Sequence, residues 1–373
     1  GILKSILYEL KKKNNIILKI LVSGTHLKKK FGSTINEIKL DKFNTIKKIN
    51  ILNDQSNENN ISIALSKGIK KINNYFREFK PDVVLILGDR FELYSIGLPS
   101  LINNIPIAHI HGGESTYGLI DDYVRHSITK ISTFHFTSNE IYRKRVIQMG
   151  ENPKHVITSG SPSVDMIKKM KFISKKNLEK ILKIKFLNKI FVVTQNPIST
   201  NKKTTVQEIN NLLNALKHFT NCTIIFTLPT FDNHSDIISR KIKFFCRNYK
   251  NTYFYKSLGH NNYLSLVKIS NLVLGNSSSG VIEAPYLKTP TINIGNRQSG
   301  REMSPSVFTV TSKSIEITNK VNQILKISNK KKLFKKNLYG NGQASRVISN
   351  FLSRINLSKI KPGKKFFDIN FKI

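Results

Sequence analysis

Short runs of β-branched apolar residues alternate along the whole chain with amphipathic stretches, a pattern typical of parallel α/β units. The first half contains predicted strands at 16–22, 83–87, 106–110, 134–137 and 155–159, with helical patterns at 61–79 and 123–131. The second half repeats the scheme with predicted strands at 190–194, 223–228, 253–255, 272–274, 291–294 and 308–310. The pattern therefore predicts an α/β fold of two Rossmann-like, doubly wound domains in tandem.

The domain boundaries follow from the same pattern. We expect an N-terminal domain over 1–166, a second domain over 167–342, and a C-terminal helix and tail over 343–373 that cross back to the first domain. Ligands of open α/β sheets bind outside the carboxyl ends of the strands, so the cleft between the domains is the expected site. Residues 2–10 have a helical pattern where such a domain should begin with a strand. The first strand and its loop are therefore expected to be missing from this chain.

The chain is strongly basic, with 61 Lys and Arg against 23 Asp and Glu and a formal net charge of +38. Such a charge normally indicates a nucleic-acid partner or an anionic membrane surface. However, 50 of the basic residues are Lys and only 11 are Arg, the residue on which base recognition most depends. We therefore expect a solvated Lys-rich surface, with neither nucleic acid nor a membrane as partner.

Two bulk features indicate the cellular setting. Cys222 and Cys246 are isolated and lack the spacing of a disulfide framework or a zinc site. No apolar run reaches the ~18 residues of a membrane span, and no signal peptide is visible. The sequence therefore predicts a protein of the reducing cytoplasm.

Two polar motifs follow predicted strands in the first half. After the first of these strands, Arg90 could clamp a phosphate and Asp89 could move a proton, although an Asp that caps the next helix and pairs with Arg90 fits equally well. At the end of the next strand, His109, His111 and Glu114 suggest a metal site. Alternation places His109 and His111 on one face, but no third ligand beside them is evident, and no metal is expected. Glu114 is either an acid or base or a satisfied loop carboxylate.

A third motif opens a predicted helix. Asp121 and Asp122 stand where the helix dipole and free backbone N–H groups favour carboxylates. Arg125 and His126 follow one turn later. Capping explains one Asp, but two carboxylates with an Arg and a His are more than capping needs.

Two motifs of the second half suggest an anion site. The small-residue loop 275–280 opens a helix and could present N–H groups and hydroxyls to a phosphate, while Glu283 could bind the paired hydroxyls of a ribose. Arg297 and Arg301 follow the next strand and add positive charge. Polar loops after strands in both domains together indicate acid/base chemistry on a nucleotide-linked substrate.

Taken with their order and spacing, these motifs resemble the hydrolysing UDP-N-acetylglucosamine 2-epimerases and their relatives that act on UDP-N,N'-diacetylbacillosamine. The residues that carry the resemblance read GDRFE, HIHGGE, GLIDDYVRHSITK, GNSSSGVIEAP and IGNRQSGRE. The resemblance implies the two-domain GT-B fold, a UDP-sugar substrate, a homodimer or homotetramer, and no metal or other cofactor.

The resemblance also implies a reaction in two steps, an elimination of UDP and a hydration with inversion at C2. The product is free N-acetylmannosamine, or its diacetylated analogue, for sialic or legionaminic acid biosynthesis. Asp89 and Asp121 match catalytic carboxylates, and His111 and Glu114 are further candidates whose division of labour stays open. The positions that match UDP-binding residues are Arg90, Asn196, Asp232, Ser277, Ser278, Glu283 and Arg297.

The sequence departs from the family pattern at two places in the second domain. Asn196 stands where the family has a His, and Asn can donate a hydrogen bond but cannot carry the imidazole's proton. A family stretch similar to PNID is PTFD at 229–232 here. Two alternatives therefore accompany the main hypothesis: a GT-B glycosyltransferase with the same UDP site, and a truncated or decayed homologue that binds UDP without turnover.

Overall fold

The computed structural model describes residues 2–27, 35, 38, 43, 46–52, 58–198, 202–229, 234–334, 337–357, 360 and 363–370. The chain divides into two compact units. The first unit contains the described residues of 2–114, 120–162 and 343–373, and the second contains those of 115–119 and 163–342. No helix among the described residues is long and apolar enough to cross a membrane.

The first unit is built on parallel strands. Strands β1 to β6 are Ile20–Ser23, Ile46–Ile49, Val84–Leu87, Ile107–Ile110, Phe134–Thr137 and Val156–Thr158. Strand β1 pairs with β2, and β3, β4, β5 and β6 form a second sheet in that order, with every pair parallel. Helices α1 to α5 are Lys4–Lys11, Glu58–Phe79, Tyr94–Ile102, Ile120–Ile131 and Glu140–Gln148.

The second unit contains one six-stranded parallel sheet. Its strands β7 to β12 are Lys189–Thr194, Cys222–Thr227, Thr252–Tyr255, Leu272–Gly275, Thr291–Ile294 and Val307–Val310. The order β9-β8-β7-β10-β11-β12 reverses direction between β7 and β10, which is the switch point at which Rossmann-like folds bind ligands. Helices α6 to α12 are Pro162–Lys169, Lys175–Leu182, Lys202–Leu216, Ser235–Asn248, His260–Ile269, Ser278–Tyr286 and Ser314–Leu325.

Strand β7 shows why this sheet is covered on both faces. Phe191 and Val193 belong to one core cluster, which includes residues of α8, α9 and α12. Ile190 and Val192 belong to a different cluster, which includes residues of α7, α10 and α11. Because successive strand side chains point to opposite faces, a continuous apolar run supplies both cores at once.

The last helix, α13 (Ala344–Arg354), packs in the core of the first unit. The Phe351 ring lies edge-on against Phe134 and Phe136, with both pairs of ring centroids 5.4 Å apart. Ile6 and Leu10 of α1 are buried in the same cluster. The amphipathic patterns at the two ends of the chain therefore serve one core.

Residues 363–370 pack beside a buried glutamate of the first unit. Glu151 accepts hydrogen bonds from Lys130 Nζ at 2.9 Å, Lys364 Nζ at 2.5 Å and His135 Nε2 at 3.1 Å. Burial alone would raise the pKa of Glu151, but these hydrogen bonds lower it to about 2. The Glu151 carboxylate is therefore charged and fixes the tail to α4.

The predicted α/β class with two Rossmann-like domains is confirmed, and so are the predicted strands, with small shifts at their ends. The first predicted strand begins at Ile20 instead of residue 16. Strand β2 was not predicted, because its two central residues, Lys47 and Lys48, are exposed and polar. Helix α7 was also missed within the Lys-rich segment, although it buries Leu178 and Leu182.

Candidate functional site

A buried arginine joins three segments of the first unit. Arg125 lies in α4, and its side chain is 1% exposed. Its Nη2 donates to Asp89 Oδ2, and its Nη1 donates to Asp122 Oδ1 at 3.1 Å and to the backbone oxygen of Glu114 at 2.9 Å. Since a guanidinium is always charged, Arg125 balances two carboxylates and also ties down the loop that follows β4.

The structure separates Asp89 from its sequence neighbour Arg90. Arg90 is exposed and donates to both carboxylate oxygens of Glu92, at 3.1 and 3.2 Å. The backbone at Arg90 is extended, with φ −76° and ψ 146°. The partner of Asp89 is thus Arg125 of another element, and the considered pairing of Asp89 with Arg90 is wrong.

The loop after β4 places a histidine against a carboxylate. His111 Nδ1 lies 2.7 Å from Glu114 Oε1, and the same oxygen accepts a hydrogen bond from Ser138 Oγ at 2.9 Å. On its other side, His111 Nε2 lies 3.2 Å from Ser161 Oγ. The Glu114 side chain is 1% exposed and that of His111 is 12% exposed.

The two glycines of this loop are explained by close neighbours. A Cβ at Gly113 would lie 2.5 Å from the backbone oxygen of Tyr142 in α5, and the Gly113 φ of +79° favours glycine. A Cβ at Gly112 would lie 3.0 Å from Thr129 Oγ1. Arg145 also donates to the backbone oxygen of Gly113 at 2.6 Å. The loop is therefore held by packing against α4 and α5.

His109 lies in strand β4 itself, and its contacts are structural. Its Nε2 lies 2.8 Å from the backbone oxygen of Gly88, its Nδ1 lies 3.2 Å from Thr129 Oγ1, and its side chain is fully buried. Burial lowers the pKa of His109 to about 3, against a smaller opposing effect of the hydrogen bond to Gly88. His109 is therefore neutral and links the loop that follows β3 to α4.

The two aspartates of the third motif lie in the first turn of α4, as predicted. Asp122 contacts Arg125, and its Oδ2 lies 3.7 Å from His126 Nε2. Burial lowers the pKa of His126, while the Asp122 charge acts in the opposite direction. Asp121 is half-buried in the same turn. Asp122 is thus held by basic side chains of its own helix.

In the second unit, a fully buried asparagine lies at the switch point of the sheet. Asn276 follows β10, and its Oδ1 accepts from the backbone N–H of Asn196 at 2.7 Å. Its Nδ2 donates to the backbone oxygen of Asn196 at 2.8 Å. Its own backbone oxygen accepts from Arg297 Nη1 at 3.1 Å and from Gln298 Nε2 at 2.9 Å. Asn276 therefore joins the loops that follow β7, β10 and β11.

The serine-rich loop after β10 opens α11. Ser277 is the N-cap, and its side chain accepts from the backbone N–H of Ser279 at 3.3 Å. Ser278 begins the helix and is half-buried. Because a helix N-terminus carries partial positive charge and unpaired N–H groups, this end of α11 suits a phosphate.

One turn further, Glu283 accepts a hydrogen bond from Ser279 Oγ at 2.5 Å. Burial raises the pKa of Glu283, and the hydrogen bond from Ser279 partly offsets that effect. Burial likewise raises the pKa of Tyr263 to about 12, and its side chain hydrogen-bonds with Ser279 and Thr194. Glu283 and Tyr263 therefore form a polar cluster beside the N-terminus of α11.

Two of the other residues predicted to bind UDP, Asn196 and Arg297, lie on the same loops, and two do not. Asn196 is 8% exposed and clasped by Asn276, and Arg297 reaches the backbone of that residue. Asp232 lies outside the described residues. Arg90 belongs to the first unit.

The comparison that decides the family is a match of residues 8–353 to the family described as UDP-N-acetylglucosamine 2-epimerase. The chain belongs to this family. It is 40% identical over 310 residues to the GDP/UDP-N,N'-diacetylbacillosamine 2-epimerase (hydrolyzing) of Campylobacter jejuni, which covers 82% of this chain and 80% of the relative. It is 37% identical over 378 residues to the polysialic acid biosynthesis protein P7 of Escherichia coli, which covers 99% of this chain and 94% of that protein.

A solved structure has the same fold as this epimerase-family chain. The UDP-GlcNAc 2-epimerase from Neisseria meningitidis, solved with UDP-GlcNAc bound, aligns with a TM-score of 0.81 over 94% of this chain and 95% of its own. The sequence identity is 20%, so the likeness concerns the fold.

Two residues that organise the candidate site were absent from the predicted set. Arg125 lies one turn after Asp121 in the sequence. Because Arg is rare in this Lys-rich chain, an Arg beside two carboxylates could have indicated a site residue. Asn276 stood inside the predicted phosphate loop, but its bond to Asn196 spans 80 positions and no local spacing indicates it. Among the described residues, no group of three or more His, Cys, Asp or Glu side chains could hold a metal ion.

Proposed function

We propose that this chain is a hydrolysing UDP-sugar 2-epimerase. Its substrate is UDP-N-acetylglucosamine or UDP-N,N'-diacetylbacillosamine, and its products are UDP and the free sugar inverted at C2. Family membership supports the reaction class. The observation that carries the proposal is the Arg125 cluster, because it joins the Asp89 and Asp122 carboxylates to the backbone of the loop that contains Glu114.

The reaction proceeds by elimination and then hydration. A base takes the C2 proton, the electron pair of that bond forms the C1=C2 double bond, and the C1–O bond breaks with its pair leaving on UDP. Water then adds its hydroxyl to C1, and C2 receives a proton on the opposite face. Inversion therefore requires proton-transfer groups on both faces of C2. We propose that the groups that transfer these protons, and those that position them, belong to the set Asp89, His111, Glu114 and Asp121.

We assign binding of the UDP group to the second unit, and Arg90 stays a separate candidate from the sequence. The N-terminus of α11, with Ser277 and Ser278, takes the diphosphate, because N–H groups and the helix dipole favour negative charge there. Glu283 accepts from the ribose hydroxyls. Asn196, Asp232 and Arg297 complete the set, and Asn196 acts as a hydrogen-bond donor where the family has an imidazole.

The cellular role follows from the products. A free sugar of the N-acetylmannosamine type is a precursor for sialic or legionaminic acid biosynthesis, and the name of the Escherichia coli relative supports this context. We place the enzyme in the cytoplasm, which its two free cysteines support. We also propose a homodimer or homotetramer, supported by the exposed apolar residues Leu98, Leu101 and Ile102 of α3.

Product analysis tests this function. Each UDP-sugar is incubated with the enzyme, and the products are followed by proton and phosphorus NMR. We expect equimolar UDP and free sugar with the inverted configuration at C2. An epimerised sugar still attached to UDP would contradict the hydrolysing reaction. Transfer to an added acceptor would favour a glycosyltransferase, and UDP binding without turnover would favour an inactive homologue.

A further inference from the structure

The loop after β4 contains two side chains able to exchange a proton, and the structure gives them unequal access to a substrate. The Glu114 side chain is 1% exposed, whereas that of His111 is 12% exposed. Glu114 Oε1 is already contacted by His111 Nδ1 at 2.7 Å and by Ser138 Oγ at 2.9 Å. Of the two side chains, His111 is therefore the more accessible to a substrate.

The contact with Glu114 determines which nitrogen of His111 is basic. A carboxylate only accepts hydrogen bonds, so Nδ1 carries the proton in this pair. Nε2 is then the nitrogen with a lone pair, and it accepts from Ser161 Oγ at 3.2 Å. A buried carboxylate that orients an imidazole and balances the charge formed on protonation is the arrangement found in serine-protease triads.

The backbone at His111 is held in a costly conformation. Its φ is +70°, in the left-handed region that few residues other than glycine occupy. Its N–H donates to the backbone oxygen of Phe136 at 2.9 Å, and the following Gly113 packs against Tyr142. Such conformations persist when the surroundings enforce them, and they concentrate at functional sites.

Resting on the proposed function, we infer that His111 is the proton-transfer group of this loop and that Glu114 is its positioning residue. In one of the two proton transfers at C2, the proton moves between the sugar carbon and His111 Nε2. The imidazolium that forms is balanced by the Glu114 carboxylate through Nδ1–H. Glu114 does not contact the sugar, and the transfer on the opposite face belongs to an aspartate.

A double-mutant cycle tests this assignment with the variants His111→Asn, Glu114→Gln and their combination. Asn tolerates a positive φ and lacks a basic nitrogen, and Gln keeps the shape of Glu while removing its charge. We expect kcat to fall about 10³-fold for His111→Asn and about 10- to 100-fold for Glu114→Gln, with KM and UDP affinity nearly unchanged. The double variant should equal His111→Asn, since Glu114 has nothing left to position.

Independent losses that multiply in the double variant would show that Glu114 acts on the substrate itself and would overturn the inference. A Glu114→Gln variant that loses UDP affinity and thermal stability in step with kcat would show a structural role instead. Glu114→Asp is the second variant, because it keeps the charge but withdraws it from Nδ1, and it should show the same loss of kcat. Glu140→Gln, at an exposed glutamate of α5, is the control and should match wild type.

This result is separate from the test of the reaction class. If wild-type enzyme releases no free sugar, the proposed function fails, and the inference that rests on it fails too. If wild-type enzyme releases free sugar and the losses multiply, only the division of labour between His111 and Glu114 is wrong.

Discussion

The hydrogen bonds between the Asn276 side chain and the Asn196 backbone, here called the Asn276 clasp, give the sharpest prediction for the second unit. Asn276→Ala removes the side-chain bonds to two backbone groups of Asn196, the N–H at 2.7 Å and the oxygen at 2.8 Å, and a longer bond from Asn196 Nδ2 at 3.4 Å. Asn276 is 0% and Asn196 is 8% exposed, so water replaces these partners poorly. At ~1–3 kcal/mol for each unsatisfied buried group, the variant should lose about 2–6 kcal/mol of stability.

The assay combines urea unfolding with UDP titration calorimetry. We expect a lower free energy of unfolding and at least a tenfold weaker UDP affinity, because the loops after β7 and β10 lose their common anchor. Asn296→Ala is the matched control: this asparagine is exposed in the loop after β11, and the change should stay within about 0.5 kcal/mol of wild type. If Asn276→Ala also stays within that range and binds UDP normally, the clasp does not hold the site together.

Three further predictions concern other residues. Asp89→Asn should lower kcat by about 10³-fold in the product assay while UDP binding stays measurable. Asp82→Asn is the control, because Asp82 is exposed just before β3, and it should match wild type. Near-normal turnover of Asp89→Asn would remove Asp89 from the mechanism. Gly275→Ala should abolish folding or lower Tm far more than Gly118→Ala. A Cβ at Gly275 would lie 2.0 Å from the Thr194 backbone oxygen, whereas a Cβ at Gly118 would meet nothing within 4 Å. Equal shifts in Tm for the two variants would refute this prediction. Because the pKa of Glu151 is lowered to about 2, its carboxylate stabilises the fold fully above pH 4.5, and this stabilisation is lost as the pH falls towards 2. The difference in free energy of unfolding between wild type and Glu151→Gln should therefore narrow from pH 4.5 towards pH 2. A constant difference would contradict this prediction.

The strands other than β2 were predictable because they are short apolar runs, most of them followed by Gly or a polar residue. Burial on both faces makes β7 and β10 nearly continuous apolar segments, and sequence patterns detect such segments well. Strand β2 escaped because Lys47 and Lys48 are exposed, so its pattern lacks the apolar content of a buried strand. The hydrophobic pattern of the sequence therefore indicates which strands are buried, and it does not indicate a strand with exposed central residues.

Partners of the site residues were less predictable than the residues themselves. Adjacent residues of an extended segment point in different directions, which is why Asp89 contacts Arg125 and not Arg90. His111 and Glu114 are close in the chain and both were predicted as candidates, but their unequal burial required the fold of α4 and α5 around the loop. Tertiary contacts over long separations, such as that of Asn276 with Asn196, have no local signal.

The most direct test of the central claim is a turnover experiment in D₂O with UDP-N-acetylglucosamine or the diacetylated UDP-sugar. Elimination and hydration require that the C2 proton be lost and replaced from solvent, so the free sugar should carry one deuterium at C2 in every molecule. Mass spectrometry and the loss of the C2 proton signal in NMR measure this incorporation. Free sugar released with its original C2 proton would contradict the account, because the C1–O bond would then have been hydrolysed without proton transfer at C2.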